Sequence, residues 1–182
     1  MTTKRAWRAW AAAIQRTPTT HETAEVVNHL VAHLTDRPED SLFLTFNAMS
    51  HEIDLSGLVA RIGPSRFATT RTPAEGPLTV HSYDGPTERH RYGFDQPAAD
   101  APTIDPAAID VVLLPGVLFG ADGTRLGHGM GYYDRLLALC RPGIERIAVT
   151  TSSLVTSTLP TDSHDVTMTH IATEVGLTPI AW

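Results

Sequence analysis

Two apolar runs in the second half of the chain constrain the fold more than any other feature of the sequence. The first, IDVVLLP, covers residues 109–115, and the second, ERIAVTT, covers residues 145–151. Both are short and rich in aliphatic and β-branched residues, which is typical of strands that are covered on both faces. Between them, YYDRLLALC at 132–140 has helical spacing of its apolar residues. The order strand, helix, strand predicts an α/β sandwich with a largely parallel sheet.

The amino-terminal segment predicts a helix with two distinct faces. Residues 4–15 carry an apolar stripe in which Trp7 and Trp10 are three positions apart. Lys4 and Arg8 are four positions apart and therefore share another face of this helix. A solvated face is one interpretation of this cationic pair, and a site for an anion is the other.

Helix-start signals and a further apolar run follow. Thr19, with Glu22 three residues later, has the capping-box pattern and starts a helix that Pro38 ends. SLFLTF at 41–46 predicts a short buried strand, and a polar turn then leads to a helix that begins near Asp54.

The rest of the chain is less regular. Between Pro64 and Pro106 short β-like segments alternate with turn residues. FGADGTRLG at 119–127 is interpreted as a turn, and LPTDSHD at 159–165 as a polar loop. We expect residues 1–182 to form one α/β domain: a three-layer, Rossmann-like sandwich around a largely parallel central sheet.

Composition and charge exclude several classes of partner. The chain has 182 residues, 42% of them hydrophobic and 19% charged, which is ordinary for one globular domain. Its net charge of −6 argues against nucleic-acid binding. The apolar run at 9–14 is too short for a secretory signal, and no run approaches the roughly 18 to 20 apolar residues of a membrane span. The single cysteine, Cys140, makes no internal disulfide, so a reducing cytoplasm is the expected location.

A glycine-rich loop, RLGHGMGYYDR at 125–135, lies between a strand-like segment and a helix. Its three glycines leave backbone N–H groups unshielded, a helix start attracts negative charge, and Arg125 adds a bidentate cation, so a phosphate is the expected ligand. Tyr132 stands where a dinucleotide-binding loop requires glycine, and no Walker GK[ST] follows. A turn that only reverses the chain is the alternative interpretation.

Asp134 lies at the start of the predicted helix and has two interpretations. It stabilises the helix start, or it binds a metal ion. A phosphate next to a carboxylate suggests Mg²⁺, which takes one or two protein carboxylates together with phosphate oxygens. A second carboxylate is then expected from another loop.

These residues resemble the 5-formyltetrahydrofolate cyclo-ligase family, also called methenyltetrahydrofolate synthetases. The most specific segment is DVVLLPGVLFGADGTRLGHGMGYYDRLL. Further matching segments are KRAWR at 4–8, HEID at 51–54, RYGFDQP at 91–97 and LPTDSHDVTMTHIATE at 159–174. The resemblance implies a cytoplasmic enzyme that uses ATP and Mg²⁺ to convert 5-formyltetrahydrofolate into 5,10-methenyltetrahydrofolate, ADP and phosphate.

The resemblance also implies roles for individual residues. It assigns ATP binding to Lys4, Arg5, Arg8, Arg125, Leu126, Gly127, His128, Gly129, Met130, Gly131, Tyr132 and Tyr133. It assigns folate binding to Asn47, Glu52, His128, Gly129, Met130, Gly131 and Tyr132. It assigns the magnesium ion to Asp134 and Asp165.

Several of these residues also have a purely structural interpretation. Glu52 would lie in an exposed turn, and Asp165 would cap a local turn through its side chain. His29 and His33 have the i, i+4 spacing of a metal pair, but no carboxylate is placed in the sequence to complete the site, so we interpret both as helix surface.

Three departures from the family pattern bear on activity. Met130 stands where glycine or lysine is usual, Gln96 replaces a common glutamate, and TTSSLV at 150–155 lacks a frequent glutamine. They motivate two alternatives: a non-catalytic paralogue that binds nucleotide or folate, and a related enzyme acting on a phosphorylated metabolite. The expected partners are small molecules, without nucleic acid or membrane, and the expected state is a monomer or weak homodimer.

Overall fold

The structure is a computed structural model that describes residues 3–73, 76–90 and 93–181. Arg91 and Tyr92 of the RYGFDQP segment lie outside these ranges. The helices are α1 (Lys4–Ile14), α2 (Thr20–Thr35), α3 (Ser56–Ile62) and α4 (Tyr132–Leu137). The strands are β1 (Phe43–Leu44), β2 (Phe67–Arg71), β3 (Thr79–Ser82), β4 (Thr87–Arg89), β5 (Asp95–Pro97), β6 (Val111–Leu114), β7 (Leu118–Gly120), β8 (Arg125–Leu126), β9 (Glu145–Val149), β10 (Val155–Thr156), β11 (His170–Thr173) and β12 (Gly176–Pro179).

A seven-stranded sheet in the order β12-β11-β9-β6-β1-β2-β3 forms the centre of the molecule. Its five inner strands pair in parallel, and β12 and β3 add antiparallel edges. In chain order, the five parallel strands follow the 2-1-3-4-5 arrangement of doubly wound sheets, whose order reverses between β1 and β6. The largely parallel sheet predicted from the apolar runs is confirmed.

Alternating side chains of the central strands supply two apolar layers. Val111 and Leu113 pack with α2 and α3 on one face, whereas Val112 and Leu114 pack with α4 on the other. All four are essentially fully buried, and burying each aliphatic side chain contributes about 1.5–3 kcal/mol. Helices therefore cover both faces, as the predicted three-layer sandwich requires.

Local signals place two of the helices. Thr19 Oγ1 accepts from the Glu22 backbone N–H at 3.2 Å, and the Glu22 carboxylate accepts from the Thr19 N–H at 2.7 Å, so the predicted capping box is formed. The Asp54 carboxylate accepts from the Ser56 N–H at 2.9 Å, which explains why α3 begins two residues after the predicted position. None of the described helices is both long and apolar enough to cross a membrane.

The segment at 119–127, interpreted as a turn, is instead most of a hairpin. β7 and β8 pair antiparallel, and β10 adds a parallel strand to this small sheet. Its apolar side packs against Ala11 of α1. The hairpin thus fixes the start of the glycine loop and joins it to the amino-terminal helix. The helix that follows the loop ends at Leu137, before the predicted limit at Cys140.

The interpretation of His29 and His33 as helix surface is wrong. α2 packs on β11 and β12, so this side of the helix faces the sheet and both imidazoles are half-buried. His29 Nδ1 lies 3.0 Å from the Thr173 carbonyl oxygen. His33 Nε2 lies 2.6 Å from a carboxylate oxygen of Glu145, which comes from a distant part of the sequence.

Candidate active site

A cavity of about 1280 Å³ opens at the carboxyl ends of β1, β2 and β6. Asn47, which follows β1, and Gly116, which follows β6, both line it, so it lies where the strand order reverses, the usual ligand position in doubly wound sheets. The predicted site residues that line this cavity are Lys4, Arg8, Asn47, Glu52, Arg125, Leu126, Gly127, His128, Gly129, Met130, Gly131, Tyr132, Tyr133, Asp134 and Asp165.

The glycine loop presents free backbone donors to the cavity. The N–H groups of residues 127–131 donate to no acceptor within the described ranges. Gly129 has φ +98° and Gly131 has φ +61°, conformations that side chains rarely adopt. Because α4 has only six residues, its dipole adds little. The capacity of the loop for an anion therefore depends on the N–H groups and on nearby cations.

Arg8 brings the amino-terminal helix to this loop. Its Nε donates to the Gly127 carbonyl oxygen at 2.8 Å, across 119 positions of sequence. The Arg8 guanidinium also lies within van der Waals range of a Cβ atom placed at Gly129, so it lies beside the middle of the loop. The interpretation of Arg8 as part of a solvated helix face is wrong.

Arg125 supplies a buried cation at the other end of the loop. Its side chain is 7% exposed, and its Nη2 lies 3.1 Å from Asp134 Oδ1. Its buried Nε–H has no partner among the described residues, so the guanidinium keeps a donor for a ligand. The Arg125 guanidinium lies 5.7 Å from the centre of the Tyr133 ring, and burial raises the pKa of that phenol.

Lys4 pairs with two carboxylates of the loop at 159–165. Its Nζ lies 2.7 Å from Asp162 Oδ2 and also contacts Asp165 Oδ2. Burial alone would raise the pKa of Asp165, but the Lys4 ammonium and the Asp162 N–H outweigh it, and the pKa is lowered. Asp165 also accepts from that N–H at 2.7 Å, so the turn-capping interpretation and the position in the cavity are both correct. Sequence analysis did not single out Asp162, although it stands in the quoted LPTDSHD motif.

The two predicted magnesium ligands come from different loops that meet. The Val166 N–H lies 3.4 Å from Asp134 Oδ1, which brings α4 beside the residue that follows Asp165. Each carboxylate already has a cation, Arg125 for Asp134 and Lys4 for Asp165. Both carboxylates line the same cavity, and carboxylate oxygens suit the ligand preference of Mg²⁺, so this donor set fits the ion.

A half-buried carboxylate, that of Glu52, lies in another part of the cavity. The Met49 N–H donates to Glu52 Oε2 at 2.9 Å, yet burial raises the pKa of Glu52 to about 7. Nearby, the Asn47 side-chain amide donates to the Asp95 carbonyl oxygen at 2.5 Å. Glu52 therefore lines a cavity, and its interpretation as part of an exposed turn is wrong.

Two imidazoles accompany Glu52, and sequence analysis missed one of them. The ring centres of His51 and His128 are 6.2 Å apart. Burial lowers the pKa of His51, and it also lowers that of His128, where positive charge on His51, Arg8 and Arg125 acts in the same direction. His51 Nε2 is buried without a partner among the described residues. Its only signal in the sequence was the HEID segment.

Arg5 does not share the position of its neighbours on α1. It is exposed and does not line the cavity. Adjacent residues in a helix differ by about 100° in direction, whereas Lys4 and Arg8 share a face because they are four positions apart. The placement therefore does not support the prediction that Arg5 binds ATP.

Burial of Glu52 leads to a prediction about stability. The folded protein holds this proton up to about pH 7, whereas an unperturbed glutamate releases it near 4.5, so stability falls as the pH rises through this interval. Glu52→Gln removes this cost, and we expect it to raise the free energy of unfolding by about 2–3 kcal/mol at pH 8 and to change it little at pH 4. Urea unfolding of both proteins at the two pH values measures the difference. Equal stability at pH 8 would contradict the raised pKa.

The sequence is similar to known proteins of one family over nearly its whole length. The sequence model of the 5-formyltetrahydrofolate cyclo-ligase family matches residues 5–174. The chain belongs to this family. The match covers the glycine loop, the loop at 159–165 and α1 from Arg5 onward, so among the described residues that line the cavity only Lys4 lies outside it.

Cyclo-ligase relatives match at the level of single segments. The chain is 39% identical over 64 residues to the 5-formyltetrahydrofolate cyclo-ligase of Mycolicibacterium smegmatis, covering 35% of this chain and 33% of that protein. It is 34% identical over 70 residues to the protein of the same name from Mus musculus, covering 36% and 34%. These alignments span about a third of the length of either relative.

Solved structures extend the likeness to the whole fold. The 5,10-methenyltetrahydrofolate synthetase of Aquifex aeolicus superposes with a TM-score of 0.77 at 22% identity, covering 98% of this chain and 93% of that one. The synthetase of Mycoplasma pneumoniae gives 0.74 at 21% identity, covering 95% and 99%. At these identities the comparison establishes the cyclo-ligase fold.

Proposed function

We propose that the protein converts 5-formyltetrahydrofolate into 5,10-methenyltetrahydrofolate, with ATP and Mg²⁺ as co-substrate and cofactor and with release of ADP and phosphate. One observation carries the proposal: a single cavity joins an anion cradle, formed by the 127–131 amides with Lys4, Arg8 and Arg125, to the half-buried carboxylate of Glu52. Membership of the cyclo-ligase family supports the interpretation of the cradle as a nucleotide site and of the part of the cavity around Glu52 as a folate site.

The cradle suits the phosphates of a nucleotide. Unpaired N–H groups and guanidinium donors bind phosphate oxygens through charge-assisted hydrogen bonds. In the proposed reaction, Arg8 and Arg125 hold the triphosphate in place, and Lys4 moves from its carboxylates to a phosphate oxygen. Magnesium, held by Asp134 and Asp165, would neutralise phosphate charge when bound.

Glu52 suits the other substrate. The ring system of a reduced folate carries N–H donors, and a carboxylate is an acceptor for them. With a pKa of about 7, Glu52 is ionised in a growing share of molecules as the pH rises towards 8. Binding of the folate should therefore strengthen over this range. His51 and His128, beside Glu52, add neutral imidazoles to this part of the cavity.

The proposed chemistry consists of two transfers. The formyl oxygen attacks the γ-phosphorus of ATP, the bond to the β-phosphate oxygen breaks, and ADP leaves. N10 then attacks the formyl carbon, its proton passes to solvent or to a neutral imidazole, and the carbon–oxygen bond breaks with release of phosphate. No covalent intermediate with the protein is needed, so the side chains position the reactants and neutralise charge.

A direct assay tests the proposal. Purified protein with ATP, Mg²⁺ and 5-formyltetrahydrofolate should accumulate the methenyl product, followed by its near-ultraviolet absorbance, and omission of ATP should stop the reaction. Calorimetric titration with each substrate accompanies the assay. Binding of both without product would favour the non-catalytic paralogue, and failure to bind folate would favour an enzyme acting on another metabolite.

A further inference from the structure

A second cluster of side chains that could bind a metal lies at the opposite end of the parallel strands from the cavity. Glu145 is the first residue of β9 and His170 the first residue of β11, so both lie at the amino ends of parallel strands. His33 reaches them from the last turns of α2. The proposed active site lies at the carboxyl ends, and this cluster is therefore independent of the proposed function.

The two imidazoles of this cluster converge on one carboxylate oxygen of Glu145. His33 Nε2 lies 2.6 Å and His170 Nδ1 lies 3.2 Å from Glu145 Oε1, and the three ligand atoms all lie within 4.8 Å of one another. Ligands of a tetrahedral zinc ion, with bonds of about 2.0–2.2 Å, are roughly 3.3–3.5 Å apart. Small adjustments of these side chains would therefore place all three around one ion.

Protons alone do not satisfy this cluster. His33 Nε2 lies within hydrogen-bonding distance of an acceptor, Glu145 Oε1, and also 3.1 Å from Arg37 Nη2, which only donates. One ring nitrogen carries either a proton or a lone pair, so one of these contacts is unfavourable in either tautomer. A divalent ion would accept lone pairs from both imidazoles and from Oε1, while Arg37 keeps its contact with Glu145 Oε2.

We propose that His33, Glu145 and His170 form a binding site for a divalent transition-metal ion of the zinc class. Imidazole and carboxylate ligands suit Zn²⁺, and a water molecule would complete the tetrahedron. The three side chains are 24%, 12% and 22% exposed, which gives an ion and its water access from solvent. The ion would join α2 to two strands of the sheet.

Zinc titration of matched variants tests the site. We expect the wild-type protein to bind one Zn²⁺ by calorimetry and to unfold at a higher temperature when zinc is present. His33→Gln and Glu145→Gln each remove a ligand but keep a polar side chain, and we expect at least about tenfold weaker binding and loss of the thermal shift. His29→Gln is the matched control, because His29 lies one turn away on α2, bonds to Thr173 and lies outside the cluster.

Among the described residues, two further groups could hold zinc, and the design separates them. His51, Glu52 and His128 form one, and Asp162, His164 and Asp165 form the other. His51→Gln should leave the zinc affinity unchanged, and the X-ray absorption spectrum of zinc on the wild-type protein should show imidazole ligation. The proposal is overturned if zinc does not bind, if His51→Gln weakens binding, or if the two ligand variants, shown to be folded by circular dichroism, bind zinc as tightly as the wild type.

Discussion

Replacing Asp134 with asparagine should lower kcat/KM of the ATP-dependent reaction about 10²- to 10³-fold, since losing a charged ligand beside a transferring phosphoryl group costs several kcal/mol. The fold should survive, because an asparagine oxygen still accepts from Arg125 Nη2 and from the Val166 N–H. Steady-state rates over a range of Mg²⁺ concentrations measure the effect. The variant should require a higher Mg²⁺ concentration for half-maximal activity.

Asp105→Asn provides a matched control for this substitution. Asp105 lies outside the cavity and caps a short helical turn by accepting from the Ala107 N–H, a role that asparagine performs equally well. Its kinetics should match those of the wild type. If Asp134→Asn kept the magnesium dependence of the parent protein, Asp134 would be removed from the proposed metal site.

The central sheet could be predicted from sequence because its strands are buried on both faces. Runs such as 109–115 and 145–151 need no distant information to be recognised, and the capping box at Thr19 is a purely local signal. The glycine loop was also recognisable, because three glycines at alternate positions between a strand-like segment and a helix favour exposed backbone N–H groups. In each case the physical cause lies within a few residues of its effect.

Features that depend on distant contacts could not be predicted from the residues alone. The residues of the hairpin at 118–126 resemble a turn in composition. The hairpin is stabilised by contacts with β10 and α1, which lie far away in the sequence. His33 looked like helix surface because its carboxylate partner, Glu145, lies 112 positions away. Asp162 and His51 became visible only when the fold placed them beside Lys4 and His128. The family pattern predicted that Arg5 binds ATP, but the direction of this side chain on α1 does not support that role.

Within the cavity, two cations pair with carboxylates of the protein itself. Lys4 pairs with Asp162 and Asp165, and Arg125 pairs with Asp134. In the proposed complex Lys4 and Arg125 turn to phosphate oxygens, and Asp134 and Asp165 turn to magnesium. Nucleotide and metal should therefore bind best together. If only one of them binds, it separates an ion pair of the protein and leaves either the cation or the carboxylate of that pair without an opposite charge.

Lys4→Met should change the binding of nucleotide and of metal in opposite directions. A charge-assisted contact with phosphate is worth about 1.5–3 kcal/mol, so we expect roughly 10- to 100-fold weaker binding of Mg-ATP. Mg²⁺ without nucleotide should bind several-fold more tightly, because Asp162 and Asp165 lose their internal cation, an effect of about 1 kcal/mol. Calorimetry with Mg²⁺ alone, and with Mg²⁺ plus a non-hydrolysable ATP analogue, measures both changes.

The opposite signs separate an exchanged ion pair from simple damage to the helix. A local disturbance of α1 would weaken the binding of both ligands. Loss of the Lys4 charge from this cluster must instead favour binding of Mg²⁺ and disfavour binding of the anionic nucleotide. Arg5→Met is the matched control, since it removes the same charge from the adjacent, exposed position of α1 and should change neither affinity. Unchanged Mg-ATP affinity in Lys4→Met would show that Lys4 takes no part in holding the nucleotide, and the anion site would then consist of the loop, Arg8 and Arg125.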